Sequence, residues 1–199
     1  MALEALRGEP VVVLGIPRGG VEIGAVVAKG LGADLDVVIP RKVGAPGNPE
    51  LGLGAVAEGV QILDDHLVKM LGVGQDYLSA EIEAQEEEIR RRSAAYRKDR
   101  PPLNLRDKIA VVVDDGVATG GTAIAALRWA RAQGASRVLL AVPVAPKEAV
   151  KRLQREADEV RVLDTPEPFY AVGQWYQDFP QVSDERVVEL LAGSADDER

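Results

Sequence analysis

The chain has 199 residues, 46% hydrophobic and 28% charged, which suffices for one packed core with an elaboration and leaves no room for a second enzyme domain. A net charge of −8 argues against general nucleic-acid affinity, which depends on neutralising phosphates, but not against a small anion held by local N–H groups. The absence of cysteine excludes disulfide and thiolate chemistry, and the single histidine, His66, cannot build a zinc site alone and reads as a surface or partly packed residue. No apolar run approaches the ~20 residues that span a bilayer, and the opening MALEALRGEP lacks a secretory hydrophobic region. The expectation is a soluble, cytoplasmic protein with no membrane partner.

The first element in chain order is PVVVLGIPRGGVEIGAVVA, residues 10–28, which reads as strand, glycine-containing turn and amphipathic helix. Taken alone, its Pro17-Arg18-Gly19-Gly20 turn is equally compatible with a plain strand-to-helix connection. The next segment, VVIPRKVGAPGNPELGLGAVAEG, starts as a strand, breaks at Arg41-Lys42 into glycines and prolines, and returns as a ribbon through residues 51–57. An ordinary surface hairpin is the other reading.

Residues 60–100 interrupt the strand–helix alternation and are predicted to form a helical insertion. One short helix spans 64–71 and a longer one 76–98, with Ile82, Ile89 and Tyr96 recurring at the same interval. Glu86–Arg90, Glu87–Arg91 and Glu88–Arg92 stand in the favourable i,i+4 order, each contributing only a few tenths of a kcal/mol. With acids interleaved, Arg90, Arg91, Arg92, Arg97, Lys98 and Arg100 read most simply as a solvated face; an effector or nucleic-acid patch is the rival view. Residues 99–104, with Pro101-Pro102, lead back to the core.

The most informative stretch follows: VVVDDGVATGGTAIAA, residues 111–126, an apolar strand, two adjacent acids, a Gly/Thr loop and a helix. At such a strand-to-helix turn, glycines let backbone N–H groups approach a phosphate, the helix N-terminus adds partial positive charge, and Thr119 and Thr122 add hydroxyl donors. Asp114 and Asp115 repel a phosphate but accept hydrogen bonds well from a vicinal diol, so the order of groups describes a ribose 5-phosphate. A Walker A loop would need Lys where Gly121 stands, and a dinucleotide fingerprint would need G-x-G-x-x-G. A turn with an acidic rim and no ligand explains less, because turn chemistry does not require two acids after three valines.

Residues 136–144 form another apolar strand, Pro146 opens a helix carrying Val150, Leu153 and Ala157 on one face, and 160–163 make a last short strand. This alternation predicts an α/β fold: a central, mostly parallel sheet flanked by helices, with both glycine loops facing one another at the strands' carboxyl ends. The scarce aromatics crowd into FYAVGQWYQDF, residues 169–179, either as a small core under a C-terminal tail or as a platform for a base.

These motifs resemble those of the type I phosphoribosyltransferases. VVVDDGVATGGTA is similar to their loop for phosphoribosyl pyrophosphate (PRPP), and PRGG to their pyrophosphate loop, where the family commonly holds a non-proline cis peptide, by position Pro17–Arg18. The resemblance covers most of residues 10–59 and 105–180. It implies a core of residues 1–59 and 101–165, the insertion at 60–100, and a hood with C-terminal tail at 166–199. By the same resemblance, Ala118, Thr119, Gly120, Gly121 and Thr122 hold the 5-phosphate, and Arg18, Gly19, Gly20 and Arg41 the pyrophosphate. Asp114, Asp115, Arg18 and Lys42 form the catalytic set, with Arg41-Lys42 at the root of a mobile loop that closes over the site. Asp114 and Asp115 hold the ribose hydroxyls and, indirectly through these or water, Mg²⁺; both can do so only if the chain is already turning at Asp115. Phe169, Tyr170 and Trp175 are the base-binding candidates, Tyr170 being the stacking residue.

The implied activity is transfer of phosphoribose from PRPP to a small nitrogenous acceptor, a nucleobase in most of the family, with release of pyrophosphate. Departures from the pattern leave the acceptor open. The 6-oxopurine enzymes carry an acid at the position of Ala118 and a lysine near the strand that reads AVPVA here, and the uracil enzymes replace the second acid and carry a tail absent from this chain. A non-catalytic module sensing PRPP or a nucleotide is the alternative, although nothing resembles a helix-turn-helix extension, and a homo-oligomer is left open.

Overall fold

A computed structural model describes residues 3–98 and 100–193. Asp99 and residues 194–199, the end of the proposed tail, lie outside the described residues. In chain order the elements are β1 (Val11–Gly15), α1 (Gly19–Leu31), β2 (Asp34–Val37), β3 (Arg41–Ala45), β4 (Asn48–Ala57), β5 (Val60–Leu63), α2 (Asp65–Met70) and α3 (Gln75–Arg97). They continue with β6 (Ile109–Val113), α4 (Gly121–Ala132), β7 (Arg137–Val144), α5 (Lys147–Leu153), β8 (Glu159–Asp164) and α6 (Asp184–Gly193).

Five strands make a parallel sheet in the order β2-β1-β6-β7-β8. The central runs VVVLG of β1 and IAVVV of β6 are buried along their whole length, as expected for strands covered on both faces. Their side chains divide by alternation: Val11 and Val13 join a core layer with α1, α3 and α6, while Val12 and Leu14 join the opposite layer with α4 and α5. From β1 the chain crosses to β2 on one side, and from β6 it crosses to β7 on the other. The crevice at the carboxyl ends of β1 and β6 is therefore the topological switch point, the usual ligand position in open parallel sheets.

Several features differ from the sequence expectations. Arg41 and Lys42 do not end a strand but begin β3, which pairs antiparallel with β4; β5 completes a separate three-stranded sheet. Hairpin pairing imposed this, since the turn at Gly47 folds residues 41–45 back onto β4 with register shifts around Gly44. Residues 60–63, placed in the helical insertion, are that sheet's third strand, so the helical part begins with α2. On α3, Glu88–Arg92 forms as expected at i,i+4, but Arg90 pairs with Glu87 and Arg91 with Glu88 at i,i+3, while Glu86 accepts from Gln61. These exposed pairings interchange at little energetic difference.

Helix α3 packs into the main core through Leu78, Ile89 and Tyr96. Arg97, counted by sequence with the surface basic residues, is buried: its guanidinium donates to Asp36 at 2.9 Å, Glu58 at 2.8 Å and the Val37 carbonyl at 2.7 Å. Asp36, also buried, accepts in addition from the Leu103 N–H at 3.0 Å. The network ties α3 to the edge of the parallel sheet and to the returning link.

Candidate active site

Both glycine loops leave the same end of the sheet. Gly15 stands opposite Val113 in register, and the Ile16 N–H then donates to the Val113 carbonyl at 2.8 Å, so β1 and β6 deliver their loops side by side. The Pro17–Arg18 peptide is cis, as the resemblance implies. Glycine is required next by crowding. A Cβ on Gly20 would lie 2.6 Å from the Val113 carbonyl oxygen and 2.9 Å from Asp114 Cα, and one on Gly19 would overlap Asp115 Oδ2. The turn and the paired acids are thus in direct contact although far apart in sequence.

Strand β6 ends at Val113, before both acids, which meets the condition for the two carboxylates to serve one ligand. Asp114 Oδ1 accepts from the Asp115 N–H at 2.9 Å, a local turn that carries the chain out of the strand. Burial, and then the Asp115 charge, pushes the Asp114 carboxyl well above the usual range; burial also raises Asp115. Among the described residues neither is ion-paired. Ionising two carboxyls placed like this is costly, a cost that hydroxyl donors or a hard cation at the site would offset.

Beyond them, Ala118 and Thr119 are exposed, and Gly120 (φ 89°) turns the chain into α4. No side chain caps α4, so the N–H groups of its first turn remain available to an anion.

The segment after β8 covers the loop. Val172 packs onto Gly116, where a Cβ would lie 2.6 Å from Val172 Cγ1 and 3.0 Å from Val144 Cγ2. Tyr176 donates its hydroxyl hydrogen to the Asp115 carbonyl at 2.6 Å, and its ring meets Phe179 at 5.0 Å. A cleft of about 580 Å³ results, lined by Arg18, Gly19, Glu22, Asp115, Tyr176 and Phe179 among others.

The structure brings Arg18, Gly19, Gly20, Asp114 and Asp115 together and places Ala118, Thr119, Gly120, Gly121 and Thr122 directly downstream. Arg41 and Lys42 lie on β3 and do not line the cleft; the Arg41 Nε donates to Gln85 on α3 at 2.9 Å. Of the base-binding candidates, Tyr170 is 81% exposed, and Phe169 stacks on Trp175 at 6.4 Å. Sequence reasoning missed two contributors. Asp184, at the start of α6, lies 3.8 Å from Arg18 and accepts from Tyr96 at 2.7 Å. Tyr176 stands in the sequence only as one of the clustered aromatics; its hydroxyl partner is a backbone carbonyl, which carries no sequence signal.

The chain is similar to known proteins over most of its length. Two Mycobacterium tuberculosis proteins, from strains CDC 1551 and H37Rv, each provisionally named a phosphoribosyl transferase, are 48% identical over 190 residues, 95% of this chain and 43% of theirs. The chain thus spans less than half the length of these curated relatives. The crystal structure of TT1426 from Thermus thermophilus superimposes with a TM-score of 0.83 at 47% identity, covering 96% of this chain and 91% of that one. The family description "phosphoribosyl transferase domain" matches residues 2–175. With the switch-point crevice, the two apposed loops and this match over nearly its whole length, the chain belongs to the phosphoribosyl transferase domain family.

Proposed function

We propose that this protein binds PRPP with Mg²⁺ and transfers its phosphoribosyl group to a small nitrogenous acceptor, most simply a nucleobase, releasing pyrophosphate. The observation that supports this reading is the contact between the PRGG turn and Asp114-Asp115, because it puts the turn proposed to hold pyrophosphate and the acids proposed to accept the diol against one crevice. Asp114 and Asp115 accept the ribose 2- and 3-hydroxyls, the N–H groups from Ala118 to Thr122 hold the 5-phosphate, and Arg18 with Gly19 and Gly20 holds the pyrophosphate. Arg41 and Lys42, on β3, are the contacts that closure of the hairpin would add, excluding water from the cationic sugar. Phe169, Tyr170 and Trp175, in or beside the covering segment, are the proposed contacts for the base.

The acids fit a hard divalent cation: both are oxygen donors, both are raised by burial, and no basic side chain among the described residues neutralises them. Bound there through ribose hydroxyls or water, Mg²⁺ would lower the charge on the departing pyrophosphate. The chain's own groups position reactants and stabilise charge as C1 develops oxocarbenium character and the acceptor nitrogen attacks from the opposite face.

The test is incubation with PRPP, Mg²⁺ and a panel of bases and amines, reading pyrophosphate release. Acceptor-dependent release supports the proposal. PRPP binding without release for any acceptor would support a sensing module instead, and no PRPP binding at all would remove the reading.

A further inference from the structure

The loop assigned to the 5-phosphate carries no basic side chain: residues 118–122 read ATGGT. A phosphate dianion there would meet only backbone N–H groups, two hydroxyls and the partial charge of the α4 N-terminus. A cation is nevertheless present, supplied by a different element. Where a Cβ would stand on Gly120, Arg152 Nη2 lies 3.7 Å away, beside Leu153 Cδ2 and Cγ at the same distance. Leu153 is buried and fastens the end of α5 under the turn, while Arg152, the preceding residue, is exposed and lies along it. Nearby arginines on this side are already paired: Arg128 with Glu156 at 2.6 Å and Arg131 with Asp158 at 3.1 Å. Arg152 has no acidic partner among the described residues.

We propose that Arg152 is a phosphate-binding residue that completes the 5-phosphate cradle from α5. The inference rests on the phosphoribosyl reading above. Placement on a neighbouring helix explains the economy of the loop, since small residues keep its backbone open to the ligand while a guanidinium anchored through Leu153 supplies the charge. A guanidinium also suits the task chemically, because its planar fork donates two parallel hydrogen bonds to phosphate oxygens.

Titration calorimetry with ribose 5-phosphate and, separately, with Mg²⁺-pyrophosphate tests this. The variants are Arg152→Gln, Arg152→Lys and, as a control of equal charge change, Arg155→Gln, also exposed on the following turn. Arg152→Gln is expected to weaken ribose 5-phosphate binding by about ten- to a hundredfold, the worth of a charge-assisted hydrogen bond. Pyrophosphate affinity and melting temperature should stay unchanged, Arg152→Lys should recover part of the loss, and Arg155→Gln should match the wild type. Unchanged ribose 5-phosphate affinity in Arg152→Gln overturns the assignment, and so does an equal loss for pyrophosphate or in Arg155→Gln, which would mean a diffuse charge effect. If the wild type binds neither ribose 5-phosphate nor PRPP, the underlying reading falls and this inference falls with it.

Discussion

The Tyr176 hydroxyl donates to the backbone carbonyl of Asp115 at 2.6 Å, so the segment that covers the site is fastened to the residue proposed to hold the sugar. A side chain bound to a main-chain oxygen fixes loop geometry without consuming the Asp115 carboxylate. Tyr176→Phe removes that bond and leaves the Phe179 ring contact. It is expected to weaken Mg-PRPP binding up to about tenfold, consistent with one net hydrogen bond of about 0.5–1.5 kcal/mol, with little change in melting temperature. Calorimetry with Mg-PRPP measures it, and an unchanged affinity would show that the tie is ornamental to binding.

The paired acids make the opposite demand on stability and function. Their raised pKa values mean that ionisation in the folded chain is unfavourable, so Asp114→Asn with Asp115→Asn should hold or raise the melting temperature of the ligand-free protein near neutral pH. Mg-PRPP binding should fall sharply in the same double variant. Scanning fluorimetry and calorimetry together decide; unchanged PRPP affinity in the folded variant would take both residues out of the site.

Arg97 is expected to matter for folding rather than chemistry. Arg97→Met leaves Asp36 buried without its cation, a change of the kind that destabilises by about 3–5 kcal/mol. Urea denaturation reads the difference, and the companion change Asp36→Asn in the same chain should restore part of it. A loss below about 1 kcal/mol would mean that the network relaxes around the gap.

Asp158 links the sheet to acid stability. It accepts from the Val138 N–H at 2.7 Å and pairs with Arg131; the Val138 bond, then the Arg131 charge, hold its pKa below the ordinary value against the opposing effect of burial. A depressed carboxyl contributes stability that is complete above its unfolded pKa and is lost as pH falls through the folded one. Asp158→Asn should therefore lower the melting temperature at pH 7 and flatten its decline below about pH 4. Melting curves from pH 7 to pH 3 test this, and parallel declines for variant and wild type would contradict it.

The acceptor is the remaining chemical question. By the family resemblance, Ala118 and the apolar AVPVA run would leave hypoxanthine and guanine without a proton-handling acid or a donor to the 6-oxo group, and each unpaired polar edge costs about 1–3 kcal/mol when buried. Turnover with either purine is expected to be weak or absent beside tight PRPP binding. Efficiencies of roughly 10⁴ M⁻¹s⁻¹ or above would show that the covering segment supplies those contacts.

By itself the sequence determined the local devices: the buried valine runs of β1 and β6, the glycine turns after them, the acids before a Gly/Thr loop, and the places of α1 to α5, but not that of α6. These are legible because each depends on neighbours within one or two turns of chain. Only the tertiary structure decided what depends on distant partners. Arg97 reads as a surface cation until Asp36 and Glu58 are found around it, and Arg41 and Lys42 read as a strand break until β4 returns to pair with them. Arg152 carries no local signal, and only the packing of Leu153 against Gly120 brings its guanidinium to the turn. The physical reason is the same in each case: burial, charge pairing and sheet register are properties of residues brought together across long stretches of chain, and no local pattern records which ones will meet.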